Sequence, residues 1–594
     1  MAKVEALNGN QAVARGFWEA GGRVAASYPG SPTVEIMESL HEYQDIYSEW
    51  SVNEKVALEV AIGASAAGGR ALVSMKHVGI NIAADPLMTY TQVDTPGGLL
   101  LVVGDDPGLT SSQNEQDSRF WGRFANMPVL EPASPREVKQ MVGIGLEISE
   151  HYGTPVLLKL TTRLCHSRGP VELAERKEHI PAGFEPDQSR FCMLPPYANK
   201  QQYFMKERLE KLQADVRELD INCYIPVEGA DTLLITSGIS HNYVKELNPS
   251  ASICKLGLVW PVPVEEIRTL SAGYKRVLVV EELLGLIEEV LNANGIAAKG
   301  KDFFPFTGEL TIDVVREGLQ QAGLVDSGPK AEQPEPDIPA RAPILCSGCP
   351  HRPVFHILKR LRPTVIGDIG CYSLGILEPF EVSKTNISMG ACLGMVKGMA
   401  ELHHQIGNDK PLVAIIGDGT GFHSGLPGFV NLRDTQRNIT LVIMDNRTTA
   451  MTGGQDNAGT GVLKREEDSK GLSFKTILNA MGIENVREVD QFKYKEALNI
   501  FREEIKRPGL SVIITTRPCA LNFKIREPRF YVDPKICINC RSCISVNCPP
   551  IHMRKYTGIE EKKSFIVGDM CVGCSVCSQV CPVGAIKRVK GGAQ

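Results

Sequence analysis

AIIGDGTGFHSG, residues 414–425, is an apolar β-type run that stops at a Gly-Asp-Gly turn and goes on into a helix start. Gly417 and Gly419 let the backbone turn sharply at the strand end, leaving amide N–H groups free for phosphate oxygens near the helix start. A second apolar run, LVIMDNRTTAMTGG at 441–454, ends in Asp445-Asn446. Working outward, PTVIGDIG (363–370) and LSVIITT (510–516) supply further β-rich runs with helical segments between them. Short apolar strands alternating with amphipathic helices predict a parallel sheet covered on both faces.

The same alternation recurs twice upstream. QAVARGFWEAGG precedes RVAASYPG, NEKVALEVAIGASAAGG precedes RALVSM, and GGLLLVVGDDPG follows, which marks an α/β domain over 1–190. KERLEKLQADVRELD (206–220) reads as a charged helix inside a connector, 191–228. DTLLITSG, SICKLGL and KRVLVVEE place strands in a smaller α/β domain over 229–325. A proline- and charge-rich linker follows at 326–342, then the α/β domain of the opening motif at 343–528 and a cysteine-rich module at 529–594. The expected fold class is α/β, with several parallel-sheet domains and a small ferredoxin-like end domain.

Composition is that of a globular, multidomain chain: 594 residues, 43% apolar and 22% charged. A net charge of −5 gives no field suited to nucleic acid. No apolar run approaches the ~20 residues that span a bilayer, and no basic-then-apolar leader opens the sequence, so no membrane contact and a cytoplasmic location are expected.

Eight of the 17 cysteines fall between Cys537 and Cys581. Cys537, Cys540, Cys543 and Cys548 form one group, and Cys571, Cys574, Cys577 and Cys581 the other; Cys548 and Cys581 each precede a proline. Three thiolates at steps of three wrap one face of an iron–sulfur cubane, and the cysteine before proline reaches the other cluster. Two 4Fe-4S clusters are expected, one on Cys537, Cys540, Cys543 and Cys581, the other on Cys571, Cys574, Cys577 and Cys548. Zinc is the alternative, but its structural sites are built from pairs. Between Cys543 and Cys548 stand four residues where bacterial two-cluster ferredoxins have three. The nine other cysteines are read mostly as small buried apolar residues. Cys346 and Cys349 resemble half a metal site only superficially, since no second pair accompanies them.

Asp418 and Asn446, each at a strand end, resemble the diphosphate motif of thiamine diphosphate enzymes. The match implies that Asp418, the Asn446 side chain and the Thr448 carbonyl bind Mg2+, with Gly419 and Thr420 at the diphosphate; hard oxygen ligands suit that ion. The coenzyme reacts through a C2 carbanion, whose formation needs a carboxylate against the aminopyrimidine ring. Glu54, opening the helix in NEKVALEVAIGASAAGG, is the expected carboxylate and Glu59 its competitor.

With YPGSPTVEI, SMKHVGIN, GDDPG, SSQNEQDSR, CSGCPHRP, GDIGCYSLG and DNRTTAMTGGQ added, nearly the whole chain resembles the 2-oxoacid:ferredoxin oxidoreductases, in the indolepyruvate branch. That resemblance implies oxidative decarboxylation of aryl pyruvates with coenzyme A and reduction of a ferredoxin. The alternatives are a non-oxidative decarboxylase or lyase with structural clusters, and a 2-oxoacid:ferredoxin oxidoreductase of another branch. It further implies a pyrimidine-binding role for 1–190, a transketolase C-terminal-like fold for 229–325 and a diphosphate-binding role for 343–528. By position in related pyruvate enzymes, Ser31 and Arg119 would contact the substrate carboxylate, and Lys76 and His77 could face the substrate. Cys349, His351 and Cys371 would sit near the thiazolium or diphosphate. A domain about one third this length is missing relative to single-chain relatives, so a smaller beta subunit and a hetero-oligomer are expected.

Overall fold

The structure, a computed structural model, describes residues 3–326, 343–461 and 470–589. The chain divides into two compact units, Met1–Glu335 and Pro336–Gln594. All but the first residue of the linker read from sequence lies outside the described residues.

The first unit contains a seven-stranded sheet ordered Leu258–Trp260, Val129–Leu130, Val156–Thr161, Leu99–Asp105, Ala71–Lys76, Val24–Ser27 and Tyr47–Trp50. All pairings are parallel except that of Leu258–Trp260 with Val129–Leu130. Its inner strands are buried on both faces, which is why they read as unbroken apolar runs. A five-stranded sheet follows: Ala298–Lys299, Arg276–Val280, Thr232–Ser237, Ser252–Leu256 and the antiparallel edge Cys223–Ile225. The two sheets are not separate bodies. Leu258–Trp260 comes from the 229–325 segment yet extends the first sheet, and one apolar core runs from Ala57 and Val73 to Leu233 and Val279. The charged helix Pro195–Asp215 packs against the first sheet's core through buried Leu212, and Arg208 donates to the Thr91 carbonyl at 2.8 Å.

The second unit is built on five parallel strands ordered Thr364–Ile366, Leu412–Gly417, Ile439–Met444, Leu510–Thr515 and Val486–Val489. Gly417 pairs with Met444 and Met444 with Thr515, so the segments that follow these strands leave the sheet side by side. The cysteine-rich module adds the strand pairs Phe530–Val532 with Ile586–Arg588 and Ile551–Tyr556 with Ile559–Ile566. Val546 and Val576 of this module join the core of the five-stranded domain. Buried Arg352 fixes the seam by donating to the Asn547 carbonyl, and His356 bridges Tyr494 (2.6 Å) and Ser545 (2.9 Å). Among the described residues no helix is long and apolar enough to cross a membrane.

Candidate active site

Asp418 stands at the end of Leu412–Gly417, buried, where its Oδ2 accepts from the Thr448 N–H (3.1 Å) and Asn457 Nδ2 (2.8 Å). One end of the Asn446 amide lies 2.9 Å from Asp418 Oδ1 and 2.8 Å from the Thr448 carbonyl oxygen. With nitrogen there, the amide donates to both; with oxygen there, three acceptors converge. Ligand oxygens about 2.0–2.1 Å from an octahedral Mg2+ stand about 2.9 Å apart along an edge, so this donor set fits a hard cation. Burial, with Asp445 adding to it, pushes the Asp418 carboxyl up to about 7. A bound cation would reverse that shift by favouring the ionised form.

Gly419 faces Thr449, whose buried Oγ1 has no partner and would lie 3.0 Å from a Cβ added at Gly419. The backbone there leaves room a side chain would fill. Thr420 Oγ1 donates to the Ile369 carbonyl at 3.0 Å, and the Tyr372 hydroxyl reaches that same carbonyl at 2.6 Å. Asp368, unremarked in the sequence reading, joins this loop to the helix Ala391–Gln405 by accepting from Gly390 N (3.0 Å) and Cys392 N (3.1 Å). His351 is buried with Nδ1 unpartnered, and burial pulls its pKa down to about 4, so it is a neutral ring beside Tyr372.

Cys346 and Cys349 are not alone. Burial pushes the Cys371 thiol up to about 11, and the Cys519 and Cys346 thiols and Asp418 lie near enough to add to the shift. Cys349 is raised by burial too, with Cys371 and Cys346 contributing. Cys519 N donates to the Asn446 carbonyl at 2.9 Å, which ties the Cys519 segment to the loop that carries Asn446 and Thr448. The sequence reading did not single out Cys519, whose loop and that of Cys371 come near Cys346 and Cys349. Nor is the apolar-filler reading general, because Cys165, Cys254 and Cys392 are buried but Cys192, Cys223 and Cys346 are exposed.

In the terminal module, Cys537, Cys540, Cys543 and Cys581 line one cavity. Burial pushes Cys574 up to about 11 with Cys548 and Cys571 adding to it, and Cys577 is raised by burial and by Cys574, Cys548 and Cys571. Cys581 thus lies with the first triplet, and Cys548 is near enough to Cys574 and Cys577 to act on both, as Cys543 also does on Cys577. The extra residue before Cys548 is absorbed by the short turn Ile544–Val546, closed by Asn547 at φ 54°.

In the first unit the residues singled out lie at the carboxyl ends of parallel strands, where open α/β sheets bind ligands. Glu54 is buried and opens the helix Glu54–Ala66, which Asn53 caps by accepting from Val56 N at 2.9 Å. Gly79 is packed so closely that an added Cβ would lie 2.7 Å from Glu54 Cγ. Glu59 is 44% exposed and pairs with Lys55, an ordinary surface contact. Ser31 is half-buried, and the neighbouring Gly30 lies against Lys76. Lys76 donates to the Ser111 carbonyl (2.9 Å) and hydroxyl (3.0 Å), and burial holds its pKa down. His77 is wholly buried, with Nε2 3.1 Å from the Asn114 carbonyl and its pKa also lowered by burial.

Arg119 corrects the reading of a substrate contact. Its guanidinium is wholly buried and its donors are committed: to Asp117 (2.9 and 2.6 Å), to Glu281 (2.6 Å) and to the carbonyls of Glu282 and Leu284 (both 2.8 Å). It is neither a surface ion pair nor open to a carboxylate ligand; it joins the first sheet's loops to the strand end of Arg276–Val280.

Three family descriptions match the chain: a thiamine pyrophosphate enzyme C-terminal TPP-binding domain over 368–515, a pyruvate flavodoxin/ferredoxin oxidoreductase thiamine diphosphate-binding domain over 15–211, and a 4Fe-4S dicluster domain over 529–582. Among similar proteins is the indolepyruvate oxidoreductase subunit IorA of Pyrococcus horikoshii, 37% identical and covering 99% of this chain and 97% of that one. The IorA subunit of Archaeoglobus fulgidus is 36% identical over 98% and 97%. The 2-oxoglutarate synthase subunit KorA of the same organism is 23% identical over 51% of this chain and 95% of that one. A solved 2-oxoglutarate:ferredoxin oxidoreductase from Magnetococcus marinus is 20% identical, covering 54% of this chain and 66% of that one with a TM-score of 0.43. With thiamine-binding motifs and a dicluster module in a chain that matches the IorA subunits almost end to end, this protein belongs to the indolepyruvate oxidoreductase alpha-subunit family, thiamine diphosphate-dependent iron–sulfur enzymes of the 2-oxoacid:ferredoxin oxidoreductase class.

Proposed function

We propose that the chain, with a smaller beta subunit, oxidatively decarboxylates aryl pyruvates such as indolepyruvate and phenylpyruvate. The acyl group passes to coenzyme A, CO2 is released, and two electrons go to a ferredoxin. The printed name of the 35–37% identical relatives supports the aryl substrate. The single observation that carries the redox reading is the terminal module, where Cys537, Cys540, Cys543 and Cys581 line one cavity within the stretch that matches a 4Fe-4S dicluster domain.

Asp418, Asn446 and the Thr448 carbonyl would hold Mg2+, with Gly419, Thr420 and His351 lining the diphosphate and Cys349 and Cys371 close by. Thiamine diphosphate held there would supply a nucleophilic carbon for addition to a 2-oxo group. Glu54, held at a helix start in a buried setting, would keep its carboxylate against the aminopyrimidine ring and move a proton there. Ser31, Lys76 and His77 would line the substrate side. The four thiols of Cys346, Cys349, Cys371 and Cys519 would hold a further iron–sulfur cluster. The terminal ligands would be crossed, Cys581 with the first triplet and Cys548 with the second.

The test is an anaerobic assay of the coexpressed two-subunit enzyme with indolepyruvate, coenzyme A and a viologen dye. Dye reduction that requires coenzyme A is expected. Aldehyde release without dye reduction would make the protein a lyase instead.

A further inference from the structure

We propose that the face of the terminal module around the Cys537–Cys540 loop is the docking surface for a small acidic one-electron carrier protein. This rests on the oxidoreductase reading above.

The two cysteine groups differ in exposure. Cys571 and Cys577 are buried, and the module's own core residues Val546 and Val576 pack into the five-stranded domain on that side. Cys540 is exposed, and the cavity it shares with Cys537, Cys543 and Cys581 is lined by Ile538, Arg541 and Val583. Ile538 and Val583 are 59% and 39% exposed. A group held there is the one a second protein can approach.

Charge says which protein. The whole chain is acidic at −5, yet residues 529–589 contain nine Lys and Arg against four Asp and Glu. Lys535, Arg541, Lys587 and Arg588, all exposed, stand in the segments that flank this cavity. Lys587 pairs with Asp533 at 3.1 Å and Arg588 with Glu527 at 3.0 Å, so the excess positive charge of this rim lies on Lys535 and Arg541. Arg541 and Asn539 hold left-handed backbone at φ 59° and 58°, a conformation disfavoured for side-chain-bearing residues and common at functional loops. An apolar centre with a basic rim attracts an acidic partner, speeds encounter and releases it quickly after transfer.

Each docking event would move one electron from the reduced cluster on this chain to the oxidised centre of the carrier. Oxidation of one 2-oxo acid with coenzyme A yields acyl-CoA, CO2, one proton and two electrons, so two carriers are reduced per turnover.

The experiment uses the two-subunit holoenzyme carrying Lys535→Glu with Lys587→Glu, and a purified acidic single-cluster ferredoxin. At low salt the KM for ferredoxin should rise about tenfold, and the salt dependence seen in the parent enzyme should flatten. Viologen reduction and the cluster spectrum should stay unchanged. An unchanged ferredoxin KM would overturn the proposal. So would an equal loss of viologen activity, which would place the lysines on the internal electron path. Loss of the partner subunit with unchanged ferredoxin KM would show that the face is a subunit contact, which also overturns it. Should the double variant lose its cluster, Lys535→Gln, at a side chain outside the ion pair, is expected to raise KM about threefold, and no rise would contradict docking. A parent enzyme that reduces no viologen would instead refute the oxidoreductase reading.

Discussion

Glu54 and Arg119 show how differently two buried charges can be used. Glu54 opens its helix and packs against Gly79, whereas Nε, Nη1 and Nη2 of Arg119 all donate to protein acceptors. Glu54→Gln should lower turnover about a hundredfold or more, the usual cost of losing a positioned acid–base group, while the visible cluster absorbance persists. Arg119→Met should leave Glu281 and Asp117 unpaired and lower stability by about 3–5 kcal/mol in denaturant titration, with the substrate KM of the folded enzyme unmoved. A raised KM at normal stability would return Arg119 to the substrate. Burial also pushes Asp105 and Glu282 up to about 7, far above their values in an unfolded chain. Between pH 4 and about 7 the folded state therefore holds protons that the unfolded state has released, so each group's contribution to stability falls as pH rises through that window. Glu282→Gln, always neutral, should flatten the decline in melting temperature between pH 5 and 7; an undiminished slope would remove Glu282 from the cause. None of this network was legible in sequence: Arg119 and Glu281 are brought together only by the packing of two sheets.

At the scale of elements, what the sequence showed best were the strand ends. Parallel strands buried on both faces read as unbroken apolar runs, and the turns that close them carry the polar residues, so the run of residue types alone was enough to put Asp418 and Asn446 at strand ends. What stayed hidden was which elements share an edge. Leu258–Trp260 joins the first sheet because its pairing is with Val129–Leu130, a long-range match with no local signature. Cys519 follows the strand Leu510–Thr515 and meets Asn446 for the same reason. The helices Glu54–Ala66 and His77–Tyr90 approach so closely at Gly79 that Gly79→Ala should displace the Glu54 carboxylate and cost about tenfold to a hundredfold in kcat. Retained kcat would mean that Glu54 tolerates a shifted position. Cys581→Ala should remove the electron paramagnetic signal of the cluster on Cys537, Cys540 and Cys543 and spare that of Cys571, Cys574 and Cys577; the opposite loss would contradict crossed ligation.

For the whole molecule, composition and charge excluded nucleic acid as an expectation and left a chain of α/β domains with a redox tail. The family followed from motifs spread over most of its length. The proposed further cluster was not legible there, because Cys346, Cys349, Cys371 and Cys519 come from three separate loops and have no repeating interval. Loaded enzyme should contain about twelve irons per chain with a cluster at that site, against about eight without it. The central claim is that electrons leave a 2-oxo acid on this chain and enter its iron–sulfur centres. The most direct measurement is to mix the oxidised two-subunit holoenzyme with indolepyruvate and coenzyme A, without air or any added acceptor, and follow the visible cluster absorbance. Bleaching within a single turnover, together with acyl-CoA formation, is the predicted result. Release of CO2 and aldehyde with the absorbance unchanged would contradict it.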